Sequence, residues 1–292
     1  MNASRSVNPE YLQEHLQEHL QEYLQTQQKL QETTQRLAYT EQYLHNVITV
    51  HHSKGNKGEK DELLVLYTLC HYNQTQEYGK LVEIFGDEAE YGIQVLDPST
   101  GLPTTTINKS RHSNKADTIV IMNKTQNEYR ISIKSINAKP AILNHTPRSA
   151  NVFKGILKPY LKSLDTMIAE YIHKRTNGTV SEDVLMCDLD SLKDTQVAND
   201  ILKVLEYFVF DGTGRGASKC PANAILYYGP NTLKFIRACD QTQRNEYVKS
   251  VANRCVMSTR EKGMPSSITP ECEPWVYRKN GKTKGSLHIR LT

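Results

Sequence analysis

The most extended pattern of apolar and polar positions lies at the start of the chain. From residue 8 to about 48, leucines stand in a background of Gln and Glu, with no Gly or Pro after Pro9. The tract QEHLQEHLQEYLQ repeats every four residues and sets Leu12, Leu16, Leu20 and Leu24 in a slowly drifting stripe. Leu30, Leu37 and Leu44 follow at heptad spacing, with Tyr23 one heptad earlier. The pattern predicts one long helix. Two roles are open to it, a coiled coil that pairs two subunits or an amphipathic helix packed on its own domain. The register change from four to seven favours packing.

A loop is predicted over Ser53-Lys54-Gly55-Asn56-Lys57-Gly58, so residues 1–52 read as a helical region and 53–292 as the main domain. The run ELLVLYTLC, from Glu62 to Cys70, predicts a buried helix. Residues 118–123 (TIVIMN) and 128–134 (EYRISIK) are rich in β-branched residues and flank Lys124-Thr125-Gln126-Asn127, predicting an antiparallel hairpin. Helices are expected over about 159–175 and 191–208, stopped near Gly178 and before Gly212. Strands are expected over 223–228 and 232–238 around Gly229-Pro230-Asn231, and Asp240 is placed to cap a helix through Val251. A last hairpin joins Trp275-Val276-Tyr277 to Leu287-His288-Ile289 through Asn280-Gly281. The mixture predicts an α/β or α+β core.

Composition narrows this only slightly. The 292 residues suffice for a substantial core, and 38% hydrophobic with 23% charged residues suits a soluble globular protein. No apolar run approaches the roughly 20 residues of a membrane span. The opening MNASRSVNPEYLQEH lacks the apolar core of a secretion signal, so a cytoplasmic location without a membrane partner is expected. The six cysteines form no C-x-x-C pair and no zinc-ligand spacing, and read as thiols. Gly212-Thr213-Gly214-Arg215-Gly216 lacks the Lys-Ser/Thr of a phosphate loop and reads as a flexible linker. Net charge is +4, which permits nucleic-acid binding without requiring it. Its distribution says more, because Lys115, Lys124, Arg130, Lys134, Lys139 and Arg148 crowd one central stretch.

That stretch also carries the candidate chemistry. Asp117 opens one strand of the hairpin at 118–134, and Lys134 closes the other, 17 positions later. Strands about 4.8 Å apart can bring both side chains to one sheet edge, with Ser132 on the same face as Lys134. Phosphodiester hydrolysis needs a metal to neutralise phosphoryl oxygens and acidify a water. Asp117 offers a hard oxygen ligand suited to Mg²⁺. Lys134 can orient the water and stabilise charge developing on phosphate.

The run ISIKS, continuing through Lys139-Pro140-Ala141-Ile142-Leu143-Asn144 to Asn151-Val152-Phe153, resembles the HpaII-like family of type II restriction endonucleases. The tail resembles that family too, in Ser258-Thr259-Arg260 and in Trp275-Val276-Tyr277-Arg278-Lys279-Asn280-Gly281-Lys282 before Ile289-Arg290-Leu291. The likeness spans roughly residues 58–292 and is dense at 115–153 and 255–291. Val152, standing between Asn151 and Phe153, departs from it. The resemblance implies a PD-(D/E)XK restriction-endonuclease-like mixed sheet flanked by helices, with Asp117 as metal-binding acid and Lys134 as catalytic lysine. Ser132 stands where the signature has Asp or Glu, and a hydroxyl is the weaker Mg²⁺ ligand. Glu62 is the candidate second acid, with a solvated first-turn glutamate as the equal alternative. The Ile133 carbonyl is a further candidate ligand.

By the same resemblance, Asn144, His145, Thr146, Arg148, Ser149 and Asn151 form a DNA-contacting loop, and Arg260 a phosphate contact. The expected activity is Mg²⁺-dependent, site-specific cleavage of double-stranded DNA, with a cognate DNA methyltransferase as genetic partner and a homodimer suited to a palindromic site. A repair or structure-specific nuclease of the same fold is one alternative. A non-catalytic DNA-binding or scaffold protein, assembled through the N-terminal helix, is the other.

Overall fold

The computed structural model describes residues 9–103, 114–136, 141–144, 147–180, 184–185, 195–229, 232–260 and 275–291. It is a mixed α/β protein with seven α-helices among the described residues. In chain order, α1 is Pro9–His52, α2 Lys57–Gln74 and α3 Tyr78–Phe85. Strands β1 Ile93–Leu96, β2 Thr118–Met122 and β3 Glu128–Ser135 come next, then β4 Ala141–Asn144. Helices α4 Pro147–Lys154 and α5 Leu161–Thr176, strand β5 Val184–Leu185 and helix α6 Thr195–Glu206 follow. A π-helical turn, Tyr207–Asp211, leads to the short strands β6 Gly212–Thr213 and β7 Gly216–Ala217. Strands β8 Ala224–Gly229 and β9 Thr232–Arg237 precede α7 Gln241–Ala252 and strands β10 Cys255–Arg260, β11 Val276–Lys279 and β12 Lys282–Leu291.

One sheet runs in the order β1-β2-β3-β8-β9, antiparallel except where β3 pairs parallel with β8. The parallel step needs a crossover connection, and positions 136–223 supply it. Asn223 fixes its register. Its N–H donates to the Arg130 carbonyl at 2.9 Å, and its side-chain oxygen accepts from the Arg130 N–H at 2.6 Å. One face of this sheet buries Val120, Met122, Tyr129, Ile131 and Ile133 against Leu66 and Leu69 of α2 and Leu81 of α3. The alternation of the strand sequences produces this face, since every second side chain points the same way.

The second sheet runs β11-β12-β10-β5, with β4 also paired to β12. A larger core, including Ile168, Ile201, Phe210, Trp275 and Leu287, joins this sheet to α5, α6 and α7 and to Ile225 on β8. The Trp275 indole N–H donates to Asp165 on α5 at 2.6 Å.

The predicted hairpins and caps are present. Residues 118–121 pair antiparallel with 128–131. Asn280 and Gly281 both have positive φ, 52° and 72°, the pair that a two-residue hairpin turn with primed geometry requires. Asp240 caps α7 by accepting from the Gln243 N–H at 2.8 Å. The Glu62–Cys70 run is helical, with Leu64, Val65, Leu66 and Leu69 buried and Leu63, Tyr67 and Cys70 partly exposed.

Two expectations are corrected. The N-terminal helix does not pack along its domain. Its contact with α2 is confined to its last turns, where Val50 is buried and the Tyr43 ring stacks on His71 at 4.4 Å. Leu16, Leu20, Leu24, Leu30, Leu37 and Leu44 are all more than half exposed. The glycine-rich segment 212–216 is not a linker but a small antiparallel hairpin. A Cβ on Gly212 would lie 2.2 Å from Cζ of Tyr207, so the close approach of that ring to the backbone explains the glycine.

Candidate active site

The strand register brings Asp117 beside β3. Its backbone N–H donates to the Ile131 carbonyl at 2.8 Å, extending the β2–β3 ladder by one residue. Oδ2 of its side chain accepts from the Ile133 N–H at 2.7 Å and, at 3.4 Å, from the Ser132 hydroxyl. A strand residue directs its N–H and its carbonyl to the same side, so the Ile133 carbonyl also faces the Asp117 side, beyond the start of β2.

Just upstream, the chain is stapled to the segment that follows β7. The Lys115 and Ala116 N–H groups both donate to the Cys220 carbonyl, at 3.2 and 3.0 Å, and the Lys115 N–H also meets Ser218 Oγ at 2.7 Å. Ala116 is fully buried between these anchors. Asp117 and Lys115 are thereby held from both sides of the sheet edge.

The charges around this point form a coupled set. Burial lifts the Asp117 carboxyl above its ordinary value. The Lys134 ammonium, the Ile133 N–H, Lys115 and the Ser132 hydroxyl act against that rise. Lys115 is pushed down to about 7, first by loss of hydration and then by Lys134, with Asp117, Glu62 and Asp211 pulling the other way. Two cations and three carboxylates therefore share one electrostatic neighbourhood.

Helix α2 reaches this edge through its N-terminal half. Asn56 caps it, accepting from the Glu59 N–H at 2.9 Å. Buried Asp61 accepts a short hydrogen bond from the Ser135 hydroxyl, the residue after Lys134. Glu62, its neighbour, lies in the second turn rather than the first, is half-buried, and is among the charges acting on Lys115. A solvated first-turn glutamate does not describe it.

A Mg²⁺ ion takes hard oxygen donors and keeps several waters. Asp117, Glu62 and the Ile133 carbonyl are such donors, so the donor chemistry fits, with Ser132 as a weak addition. Among the described residues there is no cluster of three or more His, Cys, Asp or Glu side chains able to hold a metal.

The expected loop conformation of the segment proposed to contact DNA is corrected. Residues 147–154 form α4, and Asn144 ends β4 with its backbone opposite His288. Ser149 is fully buried, and its Cβ is 3.6 Å from where a Cβ on Gly214 would sit, so it packs α4 on the β6–β7 hairpin. Arg148 and Asn151 are exposed on α4. His145 and Thr146 lie outside the described residues. Arg260 ends β10 with its backbone opposite Ser286.

The structure adds Lys115, Asp61 and Asp211 to the candidate residues. The sequence signal for Lys115 is its place two residues before Asp117, which sets it at the same sheet edge. Asp61 was visible as one of two adjacent acids opening an apolar helix. Asp211 had no sequence signal, because a π-helical turn places it, and its carboxylate is already engaged by Arg244 at 2.9 Å. No family model, no curated protein and no solved structure matches the chain. No described helix is long and apolar enough to cross a membrane.

Proposed function

We propose that the protein is a PD-(D/E)XK-type, Mg²⁺-dependent endonuclease acting on double-stranded DNA as a type II restriction enzyme. The observation that carries this reading is the juxtaposition of Asp117 with the Ile133 N–H and the Lys134 charge at the edge of a mixed sheet. The element order supports it: a helix bearing an acid (α2), a three-strand antiparallel meander (β1–β3), then helices and a strand parallel to the third (β8). Exposed Arg148 on α4 and Arg215 on the adjoining β6–β7 hairpin supply cations suited to phosphate contact.

In this reading Asp117, Glu62 and the Ile133 carbonyl hold the metal. Mg²⁺, when bound, supplies charge neutralisation at the phosphoryl oxygens and acidifies water. Lys134 orients the attacking water and faces the charge that grows on phosphate as the P–O bond breaks. Lys115 adds a second cation, and an approaching polyanion favours its protonated form. The Ile133 N–H fixes the Asp117 carboxylate, and the Ser135–Asp61 bond ties α2 to the end of β3. A DNA methyltransferase protecting the same sequence completes the proposed system.

Lys134→Ala and Asp117→Asn test the assignment. Each is expected to reduce Mg²⁺-dependent cleavage about a thousandfold, within the range of positioned acid–base and electrostatic groups. Circular dichroism and DNA affinity should stay close to those of the parent. Normal cleavage by Lys134→Ala would remove that residue from the catalytic centre. A second reading, a DNA-binding scaffold without catalysis, is favoured by Ser132 standing in for a carboxylate. It predicts specific DNA binding with no cleavage under any divalent metal.

A further inference from the structure

We propose that α1 is a homodimerisation element, in which two copies of this chain pair antiparallel through the apolar face running from Leu16 to Ile48. Leu16, Tyr23, Leu30, Leu37 and Leu44 form one column at strict seven-residue spacing, sustained over four heptads and about 42 Å of helix. Each is 52–69% exposed, so the folded chain leaves the column uncovered. Helix α2 docks on a different side of α1, through Tyr43 and Val50, while Leu44 and Ile48 remain more than half exposed beside it.

The surroundings of the column are those of a seam between helices. With the column at heptad position d, position a holds Leu20, Gln27, Thr34, Glu41 and Ile48. The flanking positions hold Gln17, Leu24, Gln31, Ala38 and His45 on one side and His19, Thr26, Thr33, Thr40 and Val47 on the other. Lys, Arg, Asp and Glu are absent from both flanks. Glu18, Glu22, Lys29, Glu32 and Arg36 all lie on the far side of the helix, in water. Thr26, Thr33, Thr34 and Thr40 donate their hydroxyls to the carbonyls four residues earlier, at 2.7–2.9 Å. With those donors satisfied, the threonines present methyl groups to a partner.

Glu41 sets the direction. It is the one charged side chain in the seam, and a parallel pair would place it at the level of its own copy. Like charges at one level of a seam disfavour that arrangement. In an antiparallel pair whose facing residue numbers sum to 64, Leu16 meets Ile48 of the second copy, Leu20 meets Leu44, Thr34 meets Leu30 and Gln27 meets Leu37. Glu41 then meets Tyr23, whose phenol can donate to the carboxylate. The two folded domains emerge at opposite ends of the helix pair. This proposal does not depend on the nuclease reading.

Sedimentation equilibrium of the full chain tests it, with twice the chain mass expected at micromolar concentration. The double variant Leu30→Glu, Leu37→Glu should weaken association at least about a hundredfold, because a charge buried in the seam lacks a partner. The control Lys29→Glu, Arg36→Glu makes an even larger charge change on the far side and should still dimerise. A monomeric parent, or a double variant that associates as tightly as the parent, overturns the proposal. Direction is read by oxidative cross-linking over the parent's background. Gln27→Cys mixed with Leu37→Cys should form a heterodimer, and efficient linkage of Gln27→Cys to itself would overturn the antiparallel arrangement.

Discussion

Helix α1 and the β2–β3 hairpin are opposite cases of one chain. The helix has 44 residues and a legible leucine pattern, yet only its last turns touch the domain. The hairpin has 13 strand residues, and β3 alone is gripped by β2, by β8 and by α2. Length of pattern does not measure attachment. A helix satisfies its backbone internally and can stand in water, whereas a strand is defined by what pairs with it. The proposed chemistry accordingly falls where the chain is held from several directions, at the edge shared by Asp117, Lys134 and α2.

The comparison sharpens first through stability. Ile131, fully buried in β3, should cost about 2–5 kcal/mol when changed to Ala, through lost transfer energy and a residual cavity. Leu37→Ala on α1, where the side chain is 58% exposed in the single chain, should alter unfolding of the domain by less than about 0.5 kcal/mol at concentrations too low for α1 to pair. Urea denaturation followed by tryptophan fluorescence measures both, because Trp275 sits in the main core. Equal costs would mean that α1 is integral to the domain. Gly212→Ala is expected to cost about 1–3 kcal/mol, since the new methyl meets the Tyr207 ring. An unchanged midpoint would show that the β6–β7 hairpin shifts freely.

Two smaller effects probe the held edge itself. Glu62→Gln should raise the Mg²⁺ concentration for half-maximal activity about tenfold, as loss of one ligand commonly does in order of magnitude. An unchanged titration would remove Glu62 from the metal. Lys115→Met should stabilise the metal-free protein more at pH 6 than at pH 10. The folded-state value of about 7 lies below the ordinary lysine value of 10.5, so the unfolded chain holds the extra proton between those limits. The destabilisation from charged, desolvated Lys115 is therefore complete below about 7 and fades as pH rises toward 10.5. Parallel pH–stability curves for parent and variant would contradict it.

Much of the local structure was legible because single residues dictate it. Asn280-Gly281 specified its hairpin turn, Asp240 its cap, and the β-branched runs around Lys124–Asn127 their antiparallel pairing. Non-local pairings were not legible. Nothing near Ile131 announces that it will lie beside Ala224, because the parallel register is fixed by Asn223 across the whole crossover. Asn144–Asn151 read as a donor-rich loop, but local propensity gave way to β4 pairing with β12 and to Ser149 packing in α4. At the site, the spacing of Asp117 and Lys134 and the unusual Ser132 were visible. The second lysine was visible only through its place two residues before Asp117, while the Ser218 and Cys220 staple that holds its backbone lies a hundred positions away.

Digestion of a fully sequenced plasmid by the purified protein, with Mg²⁺ and with EDTA, followed by sequencing of the fragment ends, tests the central claim most directly. Discrete fragments sharing one short sequence at their ends, formed with Mg²⁺ and absent with EDTA, are the predicted result. An intact plasmid across Mg²⁺, Mn²⁺ and unmethylated substrates would contradict the assignment of Asp117 and Lys134 to a nuclease centre.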